Sequence, residues 1–314
     1  MARYPMKIFS GTSHPELASK IAKYLKVDLS EMLISRFAGG EIYAKPTSTV
    51  RGADVFLLQT ASSNVNEDLM ELFIMIDAIK RSCAEKIHVV MPHYAYARQD
   101  RVATPREPIS AKLVADLISA AGADHVIVVK LHTDQEQGFF NFSVDNLNSN
   151  KIFAEYFSKK KIKNLVVVSP DAGGAKEAKK LADLLGVNFA IIHKSRPSHN
   201  KSEVNHVVGD VEGKTCLIYD DMIDTGGSVI SGAEALRKIG AGRDMYLAAT
   251  HAIFSAQAAK RLSVVGFKEI VVSDTIPVTK EKMFNGLVVL SIAPLLAKVI
   301  KSVNESKSVT DSIK

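Results

Sequence analysis

The sequence predicts an α/β protein in which mostly parallel sheets carry helices on their faces. Short apolar runs of strand length alternate with helical patterns along the whole chain. Such alternation is typical of parallel sheets, whose crossover connections are helices. Several apolar runs end in polar or glycine-rich turns, and ligands of open α/β sheets bind at this end of the strands.

The predicted strands are short runs rich in aliphatic residues, typical of strands buried on both faces. They cover residues 8–9, 55–59, 87–91, 126–131, 165–168, 189–192, 216–219, 245–250 and 270–272. Helical patterns lie between them, as in 67–83, where Leu69, Leu72 and Ile76 repeat at helical spacing. The predicted helices cover residues 15–25, 67–83, 109–121, 176–185 and 231–239.

The length of 314 residues suits two domains, each with its own core. A polar stretch of Asp, Asn and Ser at residues 145–150 is the best candidate for a boundary. We therefore predict an N-terminal domain of residues 1–146 and a C-terminal domain of residues 147–314.

The composition is 46% hydrophobic and 24% charged, which is typical of a soluble globular protein. No apolar run approaches the roughly 20 residues that a membrane span needs. The first residues contain no signal-peptide core, so we expect a cytoplasmic protein with no membrane partner. With only two cysteines, Cys83 and Cys216, a disulfide scaffold is not expected.

A net charge of +6 raises the question of nucleic-acid binding. The basic residues are scattered, Trp is absent, and no stretch interleaves aromatic and basic residues as single-strand binders do. We therefore predict no nucleic-acid partner. Phosphorylated small molecules explain the excess of positive charge equally well.

The most informative motif follows the predicted strand 216–219. It contains three carboxylates, Asp220, Asp221 and Asp224, and then the turn Thr225-Gly226-Gly227-Ser228 before a helix. Adjacent carboxylates can accept hydrogen bonds from neighbouring sugar hydroxyls, and backbone amides at a helix N-terminus suit a phosphate monoester. The pattern indicates a pocket for ribose 5-phosphate. A plain strand–helix turn with a serine cap would explain the glycines and Ser228 but not the three carboxylates.

A second turn of the same kind, Asp171-Ala172-Gly173-Gly174, follows the strand-like run 166–168 and opens another helix. The second half of the chain therefore offers two anion-binding turns side by side. Residues 209–215 only superficially resemble a phosphate-binding P-loop, because the spacing is one residue short and the segment precedes a strand instead of following one.

The polar stretch 194–201 follows the predicted strand 189–192 and carries Lys194 and Arg196. Its composition fits an ordinary mobile surface loop. It also fits a lid whose cations close over phosphates during transfer, since phosphoryl transfer needs positioning and charge stabilisation.

In the first half, Arg98 and Gln99 follow the predicted strand 87–91, and His132 follows the strand 126–131. Arg98 is suited to a triphosphate, Gln99 to a purine or ribose edge, and His132 to a metal ion or a phosphate. A solvated loop and a structural histidine are the alternative readings.

These segments together resemble the ribose-phosphate diphosphokinase (phosphoribosyl diphosphate synthetase) family over nearly the full length of the chain. Residues 219–228 are shared with phosphoribosyltransferases, whereas 96–100 and 137–140 are far more specific to the synthetases. The segments on which this resemblance rests are 37–41, 96–101, 108–113, 131–140, 169–176, 193–196 and 219–228.

The resemblance implies two similar phosphoribosyltransferase-type domains, with ATP bound by the first and ribose 5-phosphate by the second. It implies transfer of the diphosphoryl group of Mg-ATP to the anomeric hydroxyl of ribose 5-phosphate, which gives 5-phosphoribosyl 1-diphosphate and AMP. It also implies homo-oligomeric assembly of dimers into hexamers, with phosphate and ADP as effectors.

By this resemblance, Asp220 and Asp221 hold the ribose hydroxyls, and residues 224–228 surround the 5-phosphate. Lys194 and Arg196 stabilise the transition state. Arg98, Gln99 and His132 contact ATP, while Phe37 and Glu41 of a neighbouring subunit close around adenine. His132 and Asp171 are the metal candidates for Mg²⁺, with Gly173 and Gly174 near the diphosphate, and the effector site involves Arg51, Arg106, Ser308 and Thr310.

The chain departs from the family pattern at three positions: Lys130 and Asn141 stand where Asp is usual, and Gly39 where Asp or Asn is usual. We hypothesise that Lys130 supplies positive charge near ATP in place of a second cation. Two other functions stay open, a phosphoribosyltransferase and a non-catalytic regulatory subunit. The segments 96–101 and 131–140 argue against the first, and the intact transfer residues argue against the second.

Overall fold

The protein was analysed as a computed structural model, which describes residues 4–198 and 201–313 and gives side chains outside 194–205. The chain divides into two compact units. The first contains residues 4–147, Thr275–Pro277 and 291–313, and the second contains Asn148–Asp274 and Val278–Leu290. Residues 291–313 thus group with the first unit, whereas the boundaries drawn from the sequence assign them to the second predicted domain.

The first unit is built on a parallel sheet. Its elements up to residue 147 are β1 (Met6–Ser10), α1 (Pro15–Leu25), β2 (Leu29–Ser30), β3 (Met32–Arg36), β4 (Ile42–Pro46), β5 (Asp54–Leu58), α2 (Val65–Arg81), β6 (Lys86–Met91), α3 (Ser110–Ala121), β7 (His125–Val129), a 3-10 helix (Asp134–Phe139) and β8 (Ser143–Leu147). Six strands form the sheet in the order β2-β1-β5-β6-β7-β8, and β3 pairs with β4 in a separate antiparallel hairpin.

The sheet of the first unit is buried on both faces, as its aliphatic strands predict. All five residues of β5 and of β7 are buried. Phe9, Leu57 and Val89 belong to one core cluster with apolar residues of α2 and α3. The prediction of a parallel sheet flanked by helices is confirmed.

The second unit repeats this architecture. Its elements are α4 (Asn150–Lys159), β9 (Leu165–Ser169), α5 (Ala175–Leu185), β10 (Asn188–Ser198), β11 (Lys201–Val208), β12 (Thr215–Ile223), α6 (Gly227–Lys238), β13 (Met245–Ala252), α7 (Ala258–Val264), β14 (Glu269–Ser273), a 3-10 helix (Lys280–Lys282) and β15 (Leu287–Leu290). The strand order is β11-β10-β9-β12-β13-β14-β15, and only the β10–β11 pair is antiparallel within this described sheet. Two core clusters include alternate residues of its strands.

Two C-terminal helices, α8 (Ala293–Asn304) and α9 (Val309–Ser312), complete the first unit. Helix α8 packs against α1. At its end, the Asn304 amide donates to the carbonyl oxygen of Tyr4 at 3.2 Å and to Asp54 Oδ2 at 3.3 Å. These bonds fix the end of α8 to the start of the first sheet.

For residues 194–198 and 201 the expectation of a loop is wrong for the backbone, and residues 199–200 of that stretch lie outside the described part of the structure. β10 continues to Ser198, and from Ile191 onward it pairs with β11 as an antiparallel hairpin. Only residues 188–191 of β10 pair with β9, so the hairpin runs past the parallel sheet. Polar residues are typical of such edge strands, and an edge tolerates Pro197, which explains why composition suggested a loop.

The described residues include no helix that is both long enough and apolar enough to cross a membrane. The longest described helix, α2, has 17 residues and carries acidic residues in its first turn. Helix α6 begins at Gly227, four residues before the predicted start, because the glycine turn itself forms its first residues.

Candidate active site

The acidic motif of the second unit lies at the carboxyl edge of its sheet. β12 pairs in parallel with β9, with Ile218 opposite Val168. Asp220 and Asp221 lie further along β12, and Asp171 lies in the turn that follows β9. The two turns that the sequence predicted side by side are therefore neighbours, because their strands are adjacent.

The turn after β9 lies close to the Asp220 side chain of β12. A β-carbon at position 174 would lie 3.9 Å from Asp220 Oδ1 and 3.1 Å from Ser169 Oγ. The amide of Gly174 donates to Asp171 Oδ1 at 3.0 Å, and the amide of Asp221 donates to Asp220 Oδ1 at 2.9 Å. A β-carbon there would meet Asp220 at ordinary contact distance but would crowd Ser169 Oγ, so glycine at 174 relieves crowding against the end of β9.

Burial and mutual repulsion define the electrostatics of this edge. Burial raises the pKa of Asp220 well above its ordinary value, and the charges of Asp221 and Asp171 raise it further. Three carboxyl groups that repel one another leave a site that favours hydrogen-bond donors or cations. Sugar hydroxyls and a divalent cation both meet this requirement.

Hydrogen bonds from neighbouring residues fix the glycine turn after β12. Asp224 accepts a hydrogen bond from the Ser255 hydroxyl, and the Arg261 guanidinium donates to the carbonyl oxygen of Thr225 at 3.2 Å. Gly226 has a φ of +77°, and α6 starts at the next residue. Only glycine adopts this φ without strain, and the N-terminal amides of α6 suit an anionic ligand. Thr225 and Ser228 are exposed at this turn.

In the first unit, Arg98 and Gln99 lie in the loop after β6 and are exposed. Gln99 accepts a hydrogen bond from Ser110 Oγ at 2.6 Å, and the amide of Ala111 donates to the Gln99 carbonyl at 3.2 Å. These bonds fix the loop to the start of α3. Arg98 directly precedes Gln99 and therefore lies next to this anchored part of the loop.

His132 is exposed in the turn after β7, the strand beside β6. The hydroxyl of the next residue, Thr133, donates to Asp100 Oδ2 at 3.1 Å. The structure therefore brings the Arg98 loop and the His132 turn together at one edge of the first sheet. Glu136 is fully buried beneath this turn and was not among the residues predicted from the sequence. The spacing Thr-x-x-Glu, which is typical of a capping box, was the sequence signal that could have identified it.

Phe37 and Glu41 lie elsewhere in the first unit, at the tip of the β3–β4 hairpin. The Phe37 side chain is 58% exposed, and the amide of Phe37 donates to the Glu41 carbonyl at 2.9 Å. An ion pair of 2.7 Å between Arg36 and Glu67 connects the hairpin to α2. An exposed aromatic ring at a hairpin tip is available to another molecule.

The residues predicted to bind effectors are all exposed. Arg51 and Arg106 are exposed, with Arg106 at a φ of +76°. Ser308 caps α9 by accepting from the Asp311 amide at 3.2 Å, and Thr310 is exposed within that helix. The side chains of Lys194 and Arg196 lie outside the described part of the structure, so their roles stay predictions.

Magnesium fits the chemistry of these edges if substrate oxygens complete its coordination. Within residues 4–198 and 201–313, no group of three or more His, Cys, Asp or Glu side chains is arranged to hold a metal ion alone. Mg²⁺ usually takes one or two carboxylates, with phosphates and waters as its other ligands. The raised pKa of Asp220 beside Asp171 marks carboxylates that a cation would stabilise.

Sheets of this kind, with acidic and glycine turns at their carboxyl edges, define a class of α/β proteins that bind phosphorylated sugars and nucleotides. Comparisons with known proteins narrow this class. Residues 6–122 match the family described as the N-terminal domain of ribose phosphate pyrophosphokinase, and residues 195–313 match the phosphoribosyl synthetase-associated domain.

Relatives resemble the chain over nearly its whole length. Proteins named ribose-phosphate pyrophosphokinase are 46% identical in Fusobacterium nucleatum (98% of this chain, 97% of that protein) and 48% identical in Mycobacterium tuberculosis (98% and 95%). The crystal structure of phosphoribosylpyrophosphate synthetase from Mycobacterium smegmatis has a TM-score of 0.91 at 46% identity, covering 96% of this chain and 99% of that one. The chain belongs to the ribose-phosphate pyrophosphokinase family.

Proposed function

We propose that this protein transfers the diphosphoryl group of Mg-ATP to the anomeric hydroxyl of ribose 5-phosphate, giving 5-phosphoribosyl 1-diphosphate and AMP. The observation that carries the proposal is the identity of 46–48% to ribose-phosphate pyrophosphokinases over 95–97% of their length. A phosphoribosyltransferase is disfavoured, because the match includes the first unit with its Arg98 and His132 edge.

The carboxylates of β12 suit the ribose of the acceptor. Asp220 and Asp221 accept hydrogen bonds from the two ring hydroxyls, and the amides at the start of α6 bind the 5-phosphate. Holding both ends of the sugar fixes the anomeric hydroxyl as a nucleophile, which is the main contribution that positioning makes to phosphoryl transfer.

The edge of the first unit suits the nucleotide. Arg98 meets the phosphates, Gln99 meets the ribose or base, and His132 contacts a phosphate or its metal. In the reaction the anomeric oxygen forms a bond to the β-phosphorus, the bond from that phosphorus to the α,β-bridging oxygen breaks, and AMP leaves with that oxygen. Lys194 and Arg196 on the β10–β11 hairpin stabilise the charge that develops on the moving group.

His132 on the first unit and Asp171 on the second are separate candidates to hold Mg²⁺. When bound, the ion supplies positive charge on the phosphate oxygens. The carboxylates Asp171 and Asp220 repel each other in the described structure, and this observation supports a cation at the acidic edge.

Homo-oligomeric assembly is part of the proposal. Ile109, Leu113 and Leu117 place three exposed apolar side chains at four-residue intervals along the start and outer face of α3. A contiguous apolar face of this kind is typical of a subunit interface. Phosphate and ADP are the proposed effectors, with Arg51, Arg106, Ser308 and Thr310 as candidate contacts.

One observation favours a second function, that of a non-catalytic regulatory subunit. Lys130 is held in the left-handed region at a φ of +55°, and its ammonium group donates to the Leu131 carbonyl at 3.1 Å, directly before His132. A fixed cation there alters the charge of the proposed metal edge. The carboxylates at residues 171, 220, 221 and 224 argue more strongly for an active enzyme.

The test is incubation of the purified protein with ATP, Mg²⁺ and ribose 5-phosphate, followed by phosphorus NMR. We expect AMP and 5-phosphoribosyl 1-diphosphate in equal amounts. ADP as the product would indicate a conventional kinase and contradict the proposal. A lack of turnover over a range of metal concentrations would favour the regulatory subunit.

A further inference from the structure

A buried carboxyl group lies beneath the edge of the first sheet at which the Arg98 loop and the His132 turn meet. Glu136 lies in the short 3-10 helix after His132 and is fully buried. This helix packs against α3. Carboxyl groups are rarely buried completely unless a partner or a function requires them there.

The contacts of Glu136 are directed at one residue. Its Oε1 accepts from the Thr133 amide at 2.7 Å and lies 3.4 Å from Thr133 Oγ1. The same Thr133 hydroxyl donates to Asp100 Oδ2 at 3.1 Å. Thr133 therefore lies between two carboxyl groups and connects the turn of His132 with the loop of Arg98.

The surroundings of the other oxygen of Glu136 favour the neutral form of the carboxyl group. Oε2 is buried and has no hydrogen-bond partner among the described residues. An unpartnered buried charge is far more costly than an unpartnered buried hydroxyl. Burial raises the pKa of Glu136 to about 7, and the nearby charge of Asp100 also raises it, against lowering contributions from Thr133 and His132.

We propose that Glu136 is a positioning residue: through Thr133 it fixes the His132 turn to Asp100, and so sets the geometry in which His132 and Arg98 meet ATP. The inference rests on the proposed function, because it assigns ATP to this edge. Glu136 does not touch the substrate; it acts through Thr133. The neutral acid is the working form, because ionisation places a second negative charge opposite Asp100.

Among the described residues, the titratable groups that act on Glu136 or respond to its charge include Asp100, His132 and Tyr94. Asp100 lies on the loop after β6, and His132 lies on the same turn. The Tyr94 phenol donates to the Ala111 carbonyl on α3, and the charges of Glu136 and Asp116 add to burial in raising the pKa of Tyr94. Asp100 is thus the anion that faces Glu136 across the Thr133 hydroxyl.

The test compares Glu136→Leu and Glu136→Gln with the wild-type enzyme. Leu cannot accept the Thr133 amide, whereas Gln keeps an acceptor oxygen and no charge. We expect Glu136→Leu to raise KM for ATP about tenfold, the size of effect that loss of substrate positioning produces. KM for ribose 5-phosphate should stay within about twofold. Glu136→Gln should restore KM for ATP at pH 6.5.

Glu107→Leu is the matched control. Glu107 accepts the Thr104 amide at 2.8 Å in another Thr-x-x-Glu turn, but its side chain is exposed. Its loss should leave KM for ATP unchanged. A pH series adds a readout that simple destabilisation would not change: from pH 6.5 to 8.5, KM for ATP should rise more in the wild type than in Glu136→Gln.

Calorimetric titration with a non-hydrolysable ATP analogue tests the same role without turnover. An unchanged KM and analogue affinity in Glu136→Leu would overturn the inference, as would equal changes in both KM values. If Glu136→Leu does not fold, equal pH profiles of the wild type and Glu136→Gln would overturn it. Wild-type enzyme that binds the analogue but forms no AMP would refute the proposed function instead.

Discussion

At the scale of single residues, the burial of Asp220 beside other carboxyl groups opposes the stability of the protein. Its carboxyl group is largely buried beside Asp221 and Asp171, and its pKa is raised first by burial and then by these two charges. The native state therefore holds a proton at a pH where the unfolded chain has lost it. Between the ordinary value near 3.8 and the raised pKa, stability decreases as pH rises.

Asp220→Asn should consequently stabilise the protein while it weakens substrate binding. We expect Tm at pH 7 to rise by about 1–2 °C, the shift that ~1 kcal/mol produces in a chain of 314 residues. KM for ribose 5-phosphate should increase about tenfold, because the amide keeps only one of the two acceptor oxygens of the carboxyl group. Calorimetry and steady-state kinetics measure the two effects.

Asp210→Asn is the control for this prediction. Asp210 is exposed and forms an ion pair of 2.7 Å with Lys214, whose hydrogen bond lowers the pKa of Asp210. Neutralising it should not raise Tm. A decrease of Tm in Asp220→Asn at neutral pH would contradict the argument from burial.

Lys130 provides a second prediction at the residue scale. Its ammonium group lies at the start of the His132 turn, where it donates to the Leu131 carbonyl. If this charge replaces a second cation, Lys130→Asp should make activity depend more steeply on magnesium, with an apparent order higher by about one. Lys130→Arg keeps the charge and should leave the order unchanged. An unchanged magnesium titration for Lys130→Asp would discard the hypothesis.

At the scale of elements, the turn between β12 and α6 is predicted to determine where the phosphate binds. Gly226 has a φ of +77°, and a β-carbon there would lie 3.4 Å from Leu262 Cγ. Gly226→Ala should lower the free energy of unfolding by about 1 kcal/mol, because alanine is strained at this φ. It should also raise KM for ribose 5-phosphate about tenfold, since the α6 amides shift.

Gly213→Ala separates strain from binding. Gly213 has a φ of +65° with open space around its β-carbon position, in the turn before β12. It should destabilise the protein to a similar extent in denaturant titrations but leave KM unchanged. A normal KM in Gly226→Ala would show that the turn does not bind the phosphate.

At the scale of the whole molecule, the exposed apolar face of α3 predicts assembly. Leu113 and Leu117 are 58% and 43% exposed on this face. Sedimentation analysis should give a hexamer for the wild type, and Leu117→Glu should shift the protein to smaller species with unchanged circular dichroism. Val264→Glu, an exposed position on α7, is the control and should not change the mass. A monomeric wild type would contradict this prediction.

Local features of the fold were predictable from the sequence. Helix α1 covers the predicted residues 15–25, since its apolar residues recur at helical spacing and Pro15 occupies its first turn. The aliphatic runs form strands, with ends shifted by a few residues. The hairpin of β10 and β11 was missed, because pairing with a distant strand, and not composition, makes residues 194–198 extended.

The sequence by itself determined the α/β architecture and the acid-plus-glycine turn, because both depend on residues within a few positions of one another. Only the tertiary structure decided that Gly174 approaches Asp220, that Thr133 joins Asp100 to the buried Glu136, and that α8 returns to the first unit. Each of these depends on strand order or on contacts between segments far apart in the chain. A linear pattern does not specify such contacts, since the free energy that selects them comes from packing the complete sheet.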